Sequence, residues 1–489
     1  MNLIKKLFQQ TAIYGLATVL PRMLNVILVP LYTDVMPPGA YGKVIVIFSY
    51  FAIFNVFLAY GMETAFFRFY KESEHRKRVV TTSLISIMGS TFLFLIVGAL
   101  FSDSLAHLSR VPREYMGYFL GILVLDALVI IPFAWLRAAE KPMRYALVKI
   151  LNVVVNLGLN IFFLLALPKL AQMAPDGFWA SMYLPDFEIS YILLSNLIAS
   201  GMTLLLMIRV YLRRPYVFDV VIWKRMIKYA MPVMVAGIAF TINEVLDKIL
   251  LEMLLPADMA SAEVGKYGAC IKLAVFMTLF TTAFRMGIEP FFFSHSNTAH
   301  PQRAYAQITN YFVVLGSIIL LAVVVFADVL KVLFVRDEAY WEAMPVVPVI
   351  LLAAFFLGIY HNLSVWYKVT DRTRFGAYIS MIGAVLTIVI NVSLIQYFGY
   401  VASAVATLVA YGSMMLLSFY FGRMYYPIPY NFRKIIFYLA ISIGFSILSF
   451  YIFDRSLYAG IPLLVLFLGM VYKLERDNLK KIFVPGHKA

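Results

Sequence analysis

Residues 41–67 read YGKVIVIFSYFAIFNVFLAYGMETAFF, and residues 267–293 read YGACIKLAVFMTLFTTAFRMGIEPFFF. Each stretch opens on Tyr-Gly and runs apolar for about the 20 residues a helix needs to cross a bilayer. Each then closes on Gly-x-Glu and Phe-Phe. Comparable runs recur along the chain, roughly at 9–33, 79–101, 115–136, 145–167, 189–211, 228–254, 308–334, 344–367, 375–397, 400–422, 434–453 and 457–473. The reading is an all-α polytopic membrane protein with about 14 transmembrane helices. Continuous runs of this length argue against a membrane β-barrel, whose strands are short and alternating. Composition agrees. Of 489 residues, 62% are apolar and only 14% charged, with a mean hydropathy of +0.85. Soluble domains are nearer half apolar and a quarter charged. The single cysteine, Cys270, permits no internal disulfide. The first run is expected to be a retained helix rather than a signal peptide, because no small-residue cleavage site follows it.

The net charge of +15 would suggest nucleic acid in a soluble chain. Here its placement follows membrane topology. With the N-terminus inside, 28 of the 41 Lys and Arg residues fall on cytoplasmic segments and 8 on outer loops. That bias places both termini in the cytoplasm, and no nucleic-acid partner is expected. The connecting loops are short, and none could fold as a separate catalytic domain.

The two opening stretches also define a repeat. Tyr41, Gly61, Glu63 and Phe66 match Tyr267, Gly287, Glu289 and Phe292 at a constant offset. Asn160 and Asn391 lie deep in the fifth and eleventh spans. The expected organisation is an N-lobe of six helices (1–217), a C-lobe of six (218–424), and two further helices with a cytoplasmic tail (425–489). An even number of spans gives both copies the same direction, so the lobes form a parallel repeat. Parallel-repeat transporters hold substrate between lobes and alternate access by rocking.

Ionised groups near the bilayer centre cost a few kcal/mol, about 2.5–3.5 on insertion scales, unless they face a cavity or a partner. Arg22 and Asn25 lie mid-span beside Pro21, and Asp126 is equally deep in the fourth span. Both cavity lining and interhelical ion pairing are open for Arg22 and Asp126. The seventh span carries Asn243, Glu244, Asp247, Lys248 and Glu252. Glu244, Lys248 and Glu252 are spaced to pair along one helix face, or Lys248 stands charged in a central cavity. In the eighth span Thr278, Thr281, Thr282, Arg285 and Glu289 share one face, as a hydrated wall or with Arg285 and Glu289 paired. The duplicated carboxylates Glu63 and Glu289 read as architectural, whereas Arg285 has no counterpart in the first lobe. Lys149 and Lys272 sit near membrane edges, where snorkelling suffices. His361 is the only histidine inside a span and has no metal-ligand spacing around it. Phosphate-binding glycine loops, zinc-protease helices and serine elbows are absent from the sequence. No ATP motor, cofactor or metal is expected.

Several stretches together resemble a known family. They are Tyr14-Gly15, Pro21-Arg22, Asn25, Pro30-Leu31-Tyr32-Thr33 and Tyr41-Gly42, then residues 60–69, Tyr267 to Leu273, Ala283-Phe284-Arg285 and Glu289-Pro290-Phe291-Phe292. Residues 397–407 with Tyr411 belong to the same set. The chain resembles the Wzx-type lipid-linked oligosaccharide flippases of the multidrug/oligosaccharidyl-lipid/polysaccharide exporter superfamily. That resemblance implies a secondary transporter, not an enzyme, in the bacterial inner membrane. It would move an undecaprenyl-pyrophosphate-linked repeat unit between leaflets for O-antigen, capsule or exopolysaccharide synthesis. Its partners would be that substrate, membrane lipids, a coupling ion (H+ or Na+) and a polysaccharide polymerase. Arg22 and Arg285, with Lys248 as a weaker third, are the expected diphosphate cations, since guanidinium grips phosphate by two bonds. Asn25, Glu63, Asp126, Asn243, Glu244, Asp247, Thr282 and Glu289 are the expected polar lining and ion-coupling groups. By formal charge the buried set is balanced, so counting alone does not give a cationic cavity. A lipid II flippase or a drug antiporter of the same superfamily are the alternatives. A membrane oligosaccharide polymerase or ligase is more remote, because such enzymes present a sizeable outer loop with catalytic Arg or His.

Overall fold

The computed structural model describes residues 26–72, 75–212, 216–294 and 301–483. Among the described residues there is no strand. The helices that follow the expected runs are α1 (Val26–Val35), α2 (Pro38–Lys71), α3 (Arg76–Leu100), α4 (Arg113–Ala138), α5 (Pro142–Met173) and α6 (Glu188–Leu212). They continue with α7 (Val220–Leu254), α8 (Ala257–Ile288), α9 (Pro301–Val325), α10 (Glu338–Val369) and α11 (Arg374–Phe398). The last three are α12 (Tyr400–Tyr425), α13 (Phe432–Ile452) and α14 (Leu457–Arg476). Twelve of these, α2–α6 and α8–α14, are long and apolar enough to cross a membrane. The expected seventh span lies within α7, a helix of 35 residues. The expected first span is described only from Val26, so Arg22 and Asn25 lie outside the described residues.

The chain forms two compact units, residues 1–268 with 387–403, and residues 269–386 with 404–489. Within the first unit α6 packs along α4 and α5, and α2 packs along α7. The Tyr-Gly motifs explain how closely α2 and α8 approach. A Cβ on Gly42 would lie 1.7 Å from the Ser261 carbonyl oxygen, and one on Gly265 would lie 1.9 Å from that of Pro38. One on Gly268 would meet Ile45 at 2.2 Å. Small residues let membrane helices touch backbone to backbone, where packing rather than hydrophobicity drives association. Gly61 serves the other end of α2. Its φ is +70°, and a Cβ there would lie 2.3 Å from the Ala230 carbonyl oxygen on α7. With Tyr60 also left-handed, the helix is interrupted between Ala59 and Met62.

Within the second unit α9 is the central element, packed by α10, α13 and α14. Its contacts with α8 and α10 are aromatic: Phe312 stacks on Phe280 of α8 and meets Phe355 of α10 at 6.0 Å. The two last helices are tied by Glu475, which accepts from the Tyr438 hydroxyl at 2.8 Å and lies 2.5 Å from Lys434 Nζ. A carboxylate buried to 4% exposure is tolerated there because both partners satisfy it.

Candidate functional site

A cavity of about 480 Å³ opens within the first unit, among α2, α4, α5 and α6. Its polar side chains fall on helical stripes. Asn55, Ala59 and Glu63 line it from α2, Lys149, Asn152 and Asn156 from α5, and Asn196, Ser200 and Thr203 from α6. Spacings of three and four residues place each set on one helix face. Asp126 projects from α4, and Phe48, Phe133 and Tyr145 supply aromatic wall.

Hydrogen bonds lock this lining. Ser200 donates to Asp126 Oδ1 at 2.8 Å, with Asn55 also beside that carboxylate. Asn152 donates to Thr203 at 3.0 Å. Deeper on α5, Asn160 donates to Asn156 Oδ1 at 2.7 Å and accepts from the Tyr32 hydroxyl at 2.9 Å. Glu63 is half-exposed and paired with Arg137 at 2.7 Å. Lys149 differs from the rest. Its Nζ lies 4.3 Å from the Phe133 ring centroid, and among the described residues no carboxylate lies within 4 Å of it. Lys149, expected near a membrane edge, lines this cavity. It lies about two turns into α5, which begins at Pro142, roughly 10 Å along the axis at about 1.5 Å per residue. The α5 stripe of Lys149, Asn152, Asn156 and Asn160 was the signal that could have revealed it.

The charges of α7 are arranged differently from a ladder. Lys248 Nζ contacts Asp247 Oδ1 at 2.7 Å and donates to the Glu244 carbonyl oxygen at 3.0 Å. Asp247 also accepts from the Tyr267 hydroxyl at 2.8 Å, while Glu252 accepts from Ser261. The expected Glu244–Lys248–Glu252 pairing gives way because Asp247 and Glu252 are buried toward α8, which supplies both hydroxyls. Lys248 is thus an ion-paired cation. Asn243 bridges to α11 by accepting from Thr387 at 3.0 Å, and Asn391 accepts from Ser403 at 2.8 Å. The repeated asparagines therefore knit helices together.

In the second unit Thr281, Arg285, His361, Asn362 and Lys368 line a narrow crevice between α8 and α10. Arg285 Nη1 lies 3.5 Å from His361 Nε2. Thr282 is buried. The side chain of Glu289 lies outside the described residues, and with it the expected pairing to Arg285. Arg285 and His361 were singled out separately in the sequence; the structure brings them together. Among the described residues no group of three His, Cys, Asp or Glu side chains is placed to hold a metal.

Residues 7–274 match the family described as polysaccharide biosynthesis protein, which is more than half of the chain. The chain belongs to that family. Residues 226–393 match the MatE family. No curated protein sequence matches. Among solved structures, the lipid II flippase MurJ in an inward closed conformation is similar with a TM-score of 0.73 at 14% identity. That likeness covers 95% of this chain and 99% of that one. An inward-facing multidrug resistance MATE family transporter of the MOP superfamily is similar at 0.62 and 14%, covering 84% and 97%. A mutant of the Vibrio cholerae MATE transporter VcmN is similar at 0.58 and 15%, covering 87% and 98%. This family member therefore has the MOP-superfamily fold, as the resemblance implied, and the named proteins of that fold are flippases and transporters rather than enzymes.

Proposed function

We propose that the protein flips an undecaprenyl-pyrophosphate-linked oligosaccharide from the inner to the outer leaflet of a bacterial cytoplasmic membrane. The observation that carries this reading is the cavity of the first unit: amides, hydroxyls and aromatic rings around one lysine that has Asp126 and Glu63 in the same lining but no described carboxylate within 4 Å. Amides and hydroxyls match the hydroxyl groups of a glycan, and a cation in a partly dry cavity suits a diphosphate. The lipid tail can remain in the bilayer. The family match to polysaccharide biosynthesis supports the same substrate class. Lobes 1–217 and 218–424 would alternate access by rocking as parallel repeats, with 425–489 appended. Arg22, Arg285 and Lys149 are the cations that would meet the diphosphate during the cycle. A coupling ion, H+ or Na+, would act through the carboxylates, and a polysaccharide polymerase would take the product.

A second reading, a lipid II flippase, is favoured by the TM-score of 0.73 to MurJ over nearly the whole of both chains. Deleting the gene separates the two. Accumulation of a lipid-linked oligosaccharide in the inner leaflet with unchanged lipid II supports the first; accumulation of lipid II supports the second.

Both termini are proposed to be cytoplasmic. Because Cys270 is buried, single cysteines report topology without background. Those placed at Asp103, Asp176 and Asp337 should react with an impermeant thiol reagent from outside, and one at Glu74 should not. The opposite pattern overturns the orientation. Arg285→Ala should lower export at least about tenfold, and Arg285→Lys should recover only part, since the two-pronged grip is lost. Unchanged export in the alanine variant would remove Arg285 from the mechanism.

A further inference from the structure

A second, larger hollow lies in the first unit, about 1060 Å³ in volume, at the ends of α3, α4, α5 and α6. Successive spans alternate in direction, so the start of α3, the end of α4, the start of α5 and the end of α6 share one membrane face. Arg76, Lys77, Lys141, Arg144 and Arg209 line this hollow, and among the described residues none that lines it is acidic. Among the described residues none of the five is ion-paired. Lys141 lies 4.4 Å from the Trp135 ring centroid and Arg76 5.5 Å from that of Tyr70, which holds two of them without neutralising them. Much of the remaining lining is apolar and open: Leu147, Leu205 and Leu206 are 58%, 69% and 46% exposed. In a spanning segment such exposure faces acyl chains.

We propose that this groove binds an anionic phospholipid with two phosphodiesters, headgroup on the cations and acyl chains along the leucines. Basic residues at a membrane end ordinarily do no more than set topology. Here they are gathered from α3, α5 and α6 around one concavity with no carboxylate among its described lining residues, and basic pockets between membrane helices hold such headgroups. Charge decides the class of ligand, because a zwitterionic headgroup would leave most of these cations without a counter-charge. Five cations around one concavity exceed the charge that one phosphodiester can balance, which favours two phosphates over one.

The test is native mass spectrometry of the full-length protein in detergent, titrated with cardiolipin, phosphatidylglycerol, phosphatidylcholine or undecaprenyl pyrophosphate. Cardiolipin should bind at least about tenfold more tightly than phosphatidylcholine. The variant Lys141→Gln/Arg144→Gln/Arg209→Gln should lower cardiolipin affinity about tenfold or more, since each surface cation contributes separately. Arg423→Gln/Arg433→Gln/Lys473→Gln removes the same charge from exposed positions elsewhere, and should change affinity less than about twofold. Folding of both is checked by elution and melting; Arg144→Gln alone should still weaken binding about threefold, should the triple variant melt early. Equal losses in the two triple variants, or equal binding of phosphatidylcholine, would overturn the site. Displacement of cardiolipin by equimolar undecaprenyl pyrophosphate would also overturn it, assigning the groove to the carrier lipid.

Discussion

Replacing Gly42 by alanine is expected to remove most of the folded protein from the membrane. The added Cβ would sit 1.7 Å from the Ser261 carbonyl oxygen and 3.0 Å from the Gly265 amide nitrogen. Neither is the movable end of a side chain, so α2 and α8 must separate. Separation also pulls Gly265 from the Pro38 carbonyl and Gly268 from Ile45, undoing one continuous contact. Forced overpacking of this kind costs about 3 kcal/mol or more. Gly39 is the matched control, three residues earlier on the same helix, where a Cβ meets nothing within 4 Å. Gly39→Ala should change stability by less than about 1 kcal/mol and in the favourable direction. Melting of the purified proteins in one detergent reads both. Equal melting of the Gly42 and Gly39 variants would show that the close crossing is not needed for folding.

Lys149→Ala should reduce glycan export at least about tenfold while the protein stays abundant. A cation about 4 Å from a phosphate, at an effective dielectric near 20, contributes about 4 kcal/mol before desolvation and the competing field of Asp126 are counted. Tenfold corresponds to only about 1.4 kcal/mol, so a substantial loss survives that discount. Abundance is expected to hold because no described carboxylate makes a direct ion pair with Lys149, and Asp126, though it loses the lysine's field, keeps its hydrogen bonds from Ser200 and Asn55. Lys149→Arg should retain part of the activity, as charge is preserved while the site near Phe133 must admit a larger group. The informative control is Asp126→Asn/Lys149→Ala. If Lys149→Ala depletes the protein and the double variant restores both abundance and export, the lysine only balances Asp126 and has no part in substrate binding.

The class of fold was legible in the sequence because a bilayer imposes a length and a polarity on each crossing segment, and runs such as 41–67 display both. Tyr41-Gly42 and Tyr267-Gly268 were equally visible as a pattern, but their reason was not. Glycine is required there because the backbones of α2 and α8 touch, and a contact between residues more than two hundred apart has no local trace. The α5 stripe from Lys149 to Asn160 was written in three- and four-residue spacing and still needed α2, α4 and α6 packed around it to become a cavity wall. In α7 the sequence offered Lys248 three acidic neighbours; tertiary structure alone chose among them. Tyr267 and Ser261 on α8 engage Asp247 and Glu252, so Asp247 is held beside Lys248 and Glu252 is drawn away. Periodicity determines which residues share a face, because it is a property of one helix. Which partner a buried charge takes depends on hydrogen-bonding groups from another helix, and only the packed chain supplies those.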